Sequence, residues 1–224
     1  MSTLLEVQGI SKTYGNTAVL RNLSFTASGG AITTIISADY KKLTALLELL
    51  SLSSDPDIGD ILLNGSSLLR IKAKERRKLK LKIQELNPHQ RINAHSQETC
   101  TEFLKKIIQT IPDSIQPTNS NKLISNAITL CSVSQSLLHQ PLCSLSKADK
   151  EQLLLVSCLL VSPALLLVNS LAYEYSESFY EALHKLRQGL DIPILFITQT
   201  LPKQLRTSST YLENHTLQDS LPMQ

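Results

Sequence analysis

Residues 35–50 read IISADYKKLTALLELL. The two isoleucines close the β-branched run AITTIIS that follows Gly29-Gly30, as a central strand should. The leucine-rich segment over 43–52 has helical character. Between them lies a short connection, at the place where a strand–loop–helix unit would hold phosphate. Such loops follow G-x-x-x-x-G-K-[ST], because glycines let backbone N–H groups wrap the phosphates and the lysine neutralises charge. Here Ser37 and Lys42 fill the glycine slots, Leu43 fills the lysine slot, and Thr44 alone keeps its hydroxyl for a magnesium ion. The adjacent Lys41 and Lys42 could substitute electrostatically. Cβ atoms at glycine positions nevertheless block close backbone approach and penalise positive φ. The stretch is either a phosphate loop that has lost its chemistry or a strand–turn–helix that never had any.

Outward from this point the chain alternates strands and helices. LLEVQGISKTY (4–14) starts as a strand, and Gly15-Asn16 marks a turn. AVLRNLSFTA (18–27) alternates like a half-exposed strand. DPDIGDILLNG (55–65) gives turn, strand and turn. The span 66–145 is more polar, with helical pieces at 97–110 and 121–138 and a loop at PDSIQPTNSN (112–121). From 146 the order is helix, strand (164–169), helix (176–190) and strand (192–199), with Gly189 near the helix end and Pro193 near the strand start. Strands separated by helices predict a mainly parallel α/β sheet. The antiparallel pattern of 1–65 predicts a β subdomain that also carries the first core strand and helix. Residues 66–145 are read as a helical insertion, densest within about 85–145, and 146–224 as the rest of the α/β core.

Composition narrows the function classes. The 224 residues suffice for one large domain with a real core. Lys plus Arg total 22 against 19 Asp plus Glu, a net charge of +3, which gives no nucleic-acid footprint. The one basic cluster, KAKERRKLKLK (72–82), reads as a solvated helix face or extended segment, with acidic-surface binding as the alternative. Cys100, Cys131, Cys143 and Cys158 lack zinc spacing and read as reduced thiols, Cys158 a buried one. LLLVSCLLVSPALLLV (153–168) is apolar enough to suggest a membrane span. Pro163, Ser157 and Ser162 instead predict a buried helix, a Ser-Pro turn and a buried parallel strand. The N-terminus shows no secretion signal, so the chain is expected in the cytoplasm.

The phrases LLEVQGISKTYGNTAVLRNLSF, GDILLNG, LNPHQRI (86–92), SPALLLVNSLA and ILFITQT, in this order, resemble the nucleotide-binding subunit of ABC transporters over nearly the full length. LNPHQRI is most similar to the dipeptide/oligopeptide-importer branch, and within it to the Sap-type antimicrobial-peptide uptake ATPase. The resemblance implies the P-loop NTPase fold, ATP and Mg²⁺ as ligands, membrane permease subunits and a second ATPase subunit as partners, and a peripheral place on the inner face of the cell membrane. Peptide would be met only indirectly, and nucleic acid is not expected.

Position by position, the resemblance puts Tyr14 at the adenine-stacking aromatic and Gln84 at the Q-loop glutamine. The signature motif reads Leu145, Ser146, Lys147, Ala148 and Asp149, with both glycines and the glutamine replaced. The metal-binding aspartate becomes Asn169 and the catalytic glutamate Ser170, which cannot act as a base toward water at neutral pH. Tyr175-Ser176 stand at the D-loop, and the switch histidine is replaced by Gln199 or Thr200. Phosphoryl transfer needs lysine, metal and water-orienting groups together. Losing one such donor typically costs ~10²–10³ in rate, so losing four leaves essentially no turnover. The leading expectation is a catalytically degenerate subunit paired with an intact ATPase. A weak ATPase completed by a partner and a free-standing α/β interaction protein are the alternatives.

Overall fold

A computed structural model describes residues 4–88, 92, 93, 95–112, 119–205, 209–213 and 216–219. The predicted phrase LNPHQRI is therefore described only in part, and so is the loop 112–121.

Strands β1 (Leu4–Tyr14) and β2 (Thr17–Ser28) form an antiparallel hairpin through the Gly15-Asn16 turn. β1 also pairs antiparallel with β4 (Ile58–Leu63), which pairs with the two-residue β5 (Ser66–Ser67). This gives a four-stranded sheet of order β2-β1-β4-β5. At Gly59 the backbone has φ +94°, and a Cβ would meet the carbonyl of Gln8 at 2.5 Å, so only glycine lets the two strands close here.

The second sheet has order β10-β9-β3-β8-β7-β6, from β3 (Ile32–Ile36), β6 (Ile83–Leu86), β7 (Leu165–Ser170), β8 (Ile194–Thr198), β9 (Ser209–Glu213) and β10 (Thr216–Asp219). β6, β7, β8, β3 and β9 run parallel, and β10 returns antiparallel. Ile35, Leu165, Leu167, Leu195 and Ile197 point to one face of the sheet, against α1 (Tyr40–Leu50) and the antiparallel sheet. Ile32, Leu166, Val168, Ile194 and Phe196 point to the other, against α3 (Cys100–Gln109), α4 (Ser120–Cys131), α5 (Lys147–Leu159) and α6 (Glu177–Gly189). Both faces are covered, which explains why these strands read as continuous apolar runs rather than alternating ones. The fold is α/β: a mainly parallel sheet with helices on both faces beside an antiparallel β subdomain.

The apolar stretch 153–168 divides as its Ser-Pro pair predicts. α5 ends at Leu159, Ser162 takes positive φ (50°), and β7 starts at Leu165. Among the described residues no helix is long and apolar enough to cross a membrane. The basic segment forms α2 (Ala73–Lys82), with none of its residues buried. Within the span 66–145, β6 is an edge strand of the large sheet, while α3 and α4 carry the helical part. Cys100, Cys131 and Cys158 are buried, Cys143 is exposed, and none of the four is in a disulfide.

Candidate functional site

The C-terminal ends of β3, β8 and β7 bring the expected nucleotide positions to one sheet edge, where ligands of open parallel sheets bind. The Ser37 amide donates to the Thr198 carbonyl at 3.3 Å, and Gln199 Nε2 donates to the Ala38 carbonyl at 3.3 Å. Ser170 stands in register with Thr198 across β7 and β8. Ser37, Asn169, Ser170, Gln199 and Thr200 thus lie together at one end of the parallel strands.

The loop itself is different from the expected one. Of the eight positions 37–44, only Ser37, Ala38 and Asp39 connect β3 to α1, and the other five are already helical. None of these residues takes positive φ. Asp39 is the helix N-cap: its Oδ1 accepts from the Lys41 amide at 2.9 Å and the Lys42 amide at 3.4 Å. Those are amides that a bound phosphate would use, and a carboxylate of the chain now takes them. Ser37 Oγ in turn accepts from the Asp39 amide at 3.1 Å.

Leu43, at the lysine position, is completely buried among the residues under the antiparallel sheet. Thr44 Oγ1 donates to the Tyr40 carbonyl at 3.0 Å, one turn back, so its hydroxyl is tied into the helix rather than offered to a metal. Lys41 is exposed and Lys42 half-buried.

The metal and base positions are likewise occupied by internal bonds. Asn169 Nδ2 donates to Glu85 Oε1 at 2.9 Å, and its Oδ1 accepts from the Leu171 amide at 3.1 Å. Ser170 Oγ donates to the Tyr173 carbonyl at 2.7 Å. Tyr175, at the D-loop, is buried, stacks on Phe179 with ring centroids 4.0 Å apart, and donates to the Asn169 carbonyl at 2.9 Å. Burial raises the Tyr175 phenol far above the ordinary tyrosine range. A cavity of about 740 Å³ opens between Ser170, Tyr173 and Tyr180 on one side and Gln199 to Gln204 on the other.

Gln84 is a correction. It pairs in register with Leu166, three residues before Asn169, and so lies inside β6 rather than at the sheet edge. Its Nε2 donates to the Leu81 carbonyl at 2.6 Å, and the residue is buried. Asn87 follows the last paired residue of β6, and Glu85 is the side chain that reaches Asn169. Neither Glu85 nor Asp39 was found by sequence reasoning. An Asp immediately before an apolar helix is an N-cap signal, which could have found Asp39.

At the far end of the site Tyr14 lines a cavity of about 390 Å³ with Tyr40, Lys41, Thr44 and Glu48. Its ring is 43% exposed, Lys12 Nζ lies 5.7 Å from the ring centroid, and its hydroxyl donates to Glu48 Oε2. Partial burial and the Glu48 carboxylate push the phenol up to about 12.

The residues of the signature motif serve the helix they start. Ser146 caps α5, and its side chain and that of Asp149 form a reciprocal capping box. Lys147 Nζ donates to the Glu174 carbonyl and sits 4.7 Å from the Tyr173 ring centroid. Leu145 is buried, and Ala148 lies in the first turn of α5. Glu151, only 1% exposed, accepts from Tyr173 Oη at 2.8 Å, from the Ser176 amide at 2.9 Å and from Ser176 Oγ. Lys147 Nζ is 3.9 Å away. α5 and the segment after β7 are locked together through this carboxylate.

These donor sets do not fit Mg²⁺ with a nucleoside triphosphate. The loop amides hold Asp39, Leu43 offers no charge, and the Thr44 and Asn169 oxygens are already bonded. Among the described residues no group of three or more His, Cys, Asp or Glu side chains could hold a metal ion.

No protein-family profile matches the chain. It is 24% identical over 211 residues to the spermidine/putrescine import ATP-binding protein PotA of Legionella pneumophila, covering 92% of this chain and 55% of PotA. It is 26% identical over 210 residues to the zinc import ATP-binding protein ZnuC of Rickettsia bellii, covering 92% of this chain and 80% of ZnuC. The chain thus spans little more than half the length of PotA. Among solved structures, cbiO1 of Clostridium perfringens, part of the ABC transporter complex cbiONQ, superposes with a TM-score of 0.80 at 16% identity, covering 97% of this chain and 87% of cbiO1. The chain therefore has the fold of ABC-transporter ATP-binding subunits and is similar to them in sequence along most of its length.

Proposed function

We propose that this chain is an ATP-binding-type subunit of an ABC importer whose own nucleotide site is silent, and that it acts as the structural partner of an intact ATPase subunit. The observation that carries the reading is Asp39, whose carboxylate takes the Lys41 and Lys42 amides in the place of a phosphate. Buried Leu43 and the Glu85-bonded Asn169 support it: the two positive charges that phosphoryl transfer requires, lysine and metal, have no seat. The scaffold of strands that would carry a working site is nevertheless intact. Its proposed place is the cytoplasmic face of the membrane, against permease subunits, a reading supported by its similarity to import ATP-binding proteins.

The cargo reading is a peptide, on the phrase LNPHQRI. The relatives named above carry polyamine and zinc in their names, so their similarity supports import without choosing the cargo. Titration calorimetry of the purified chain with Mg-ATP is expected to give no binding heat, and hydrolysis is expected to match a protein-free blank. Turnover near 1 s⁻¹, ordinary for an enzyme, would sink the reading.

A further inference from the structure

Helix α2 lies on the molecule by one side. Arg76 forms an ion pair with Asp55, Lys80 Nζ donates to the Leu52 carbonyl at 3.3 Å, and Leu79 packs against the core beneath the antiparallel sheet. The positions that recur at i, i+3, i+4 and i+7 on the opposite side are Lys74, Arg77, Lys78 and Leu81, all exposed. Lys72 extends the same charge at the N-cap. Among the described residues Lys72, Lys74, Arg77 and Lys78 make no ion pair. Three cations without an ion pair, Lys74, Arg77 and Lys78, thus share one stripe of a chain whose net charge is only +3.

We propose that this outward face of α2 docks on the anionic phospholipid headgroups of a membrane surface. The chemistry of the face selects lipid over protein. Specific protein interfaces are built on an apolar or aromatic centre and are depleted in lysine. Here the outward stripe offers one leucine, 39% exposed, and otherwise lysine and arginine, with exposed Glu75 beside Lys78 as the one acid of the helix. It has no aromatic ring on which a nucleobase could stack. A diffuse negative surface needs neither feature and attracts each cation separately. Each Lys or Arg near such a surface strengthens binding about five-fold, so the face acts as an electrostatic contact that reinforces the membrane position proposed above.

The inference rests on that placement but is read without permease or nucleotide. The full chain is floated with vesicles of phosphatidylcholine alone, or of phosphatidylcholine mixed with phosphatidylglycerol. Binding is expected only to the mixed vesicles and is expected to fade as salt rises. The triple variant Lys74→Gln, Arg77→Gln, Lys78→Gln should lose binding by on the order of a hundred-fold. A charge-matched control, Lys105→Gln, Lys122→Gln, Lys185→Gln, changes exposed lysines on other helices and should bind like wild type. Equal binding to neutral vesicles, or a triple variant as good as wild type, overturns the proposal. So does tighter binding to single-stranded RNA or to polyglutamate than to the mixed vesicles at the same salt. Because the assay contains no ATP and no permease, its failure would leave the silent-subunit reading standing, and success would not rescue it.

Discussion

At the scale of single residues, the site is closed by side chains that the chain supplies to itself. Leu43 marks the difference between the sequence reading and the structure. From spacing alone, Leu43→Lys looks like a harmless restoration of a phosphate lysine. In the fold that side chain is fully buried, and an ammonium placed there has no partner and loses its hydration. Leu43→Lys is expected to cost more than about 3 kcal/mol of unfolding free energy in urea denaturation, whereas Leu43→Met should cost under about 1.5 kcal/mol. Equal midpoints for the two variants would mean that Leu43 is not in the core.

Tyr14 gives a second residue-scale test. Burial and Glu48 raise its phenol from 10.0 to about 12 in the folded protein. A raised phenol means that the neutral form is preferred on folding. Its contribution is fully present below pH 10 and is lost as pH rises through about 12. Titrating tyrosinate absorbance should show one phenol shifting down toward pH 10 in Glu48→Gln, since the carboxylate that accepts its proton is gone. An unchanged titration would remove Glu48 as a cause.

At the scale of elements, Glu151 joins two segments that a working site would use separately. It accepts hydrogen bonds from Tyr173 and Ser176, on the segment after β7, while sitting on α5. Removing the carboxylate leaves two hydroxyls and an amide without their acceptor in a buried place. Hydrogen bonds to charged groups contribute about 1.5–3 kcal/mol each. Glu151→Ala should therefore lower stability by roughly 3 kcal/mol or more. Glu151→Gln keeps one acceptor oxygen and should cost clearly less, both read from urea midpoints. If the two cost the same, the network is not what holds the segment.

The elements were largely legible in the sequence. The apolar runs at 35–36, 165–168 and 195–197 announced buried strands, and they lie on β3, β7 and β8, which are neighbours in the sheet order β3-β8-β7. Pro163 announced where α5 must stop. β9 and β10 were not read, because 209–213 and 216–219 carry polar residues among few apolar ones and give no periodic signal. The start of α1 at Tyr40 was missed for a physical reason: the loop template reserved 37–44 for a connection, while Asp39 already offered a cap. Gln84 differs because the strand register was not legible: β6 runs on to Leu86, so residue 84 falls inside the strand and not after its last paired residue.

At the scale of the whole molecule, the question is what an ATP-binding fold does with a sealed site. A parallel sheet covered on both faces, with the antiparallel sheet packed on it through one face, holds the edge residues in fixed places, so the closed loop is part of a well-packed structure rather than a frayed remnant. A pair made of this chain and an intact ATPase subunit would then hold one ATP, not two. The intact subunit would supply lysine, metal ligand and base, and this chain only the opposing surface. Capturing the tagged full chain from its native host should bring down a second ATP-binding subunit together with permease subunits. Nucleotide quantified in that complex under non-hydrolysing conditions should approach one per ATPase pair. Replacing the partner's phosphate-loop lysine should then abolish all turnover, because this chain has no second lysine in place: Leu43 is buried, and Asp39 holds the amides at 41 and 42. Two bound nucleotides per pair, or residual turnover after that replacement, would show that the loop opens in the assembly and that its closure here is not the state in which it works.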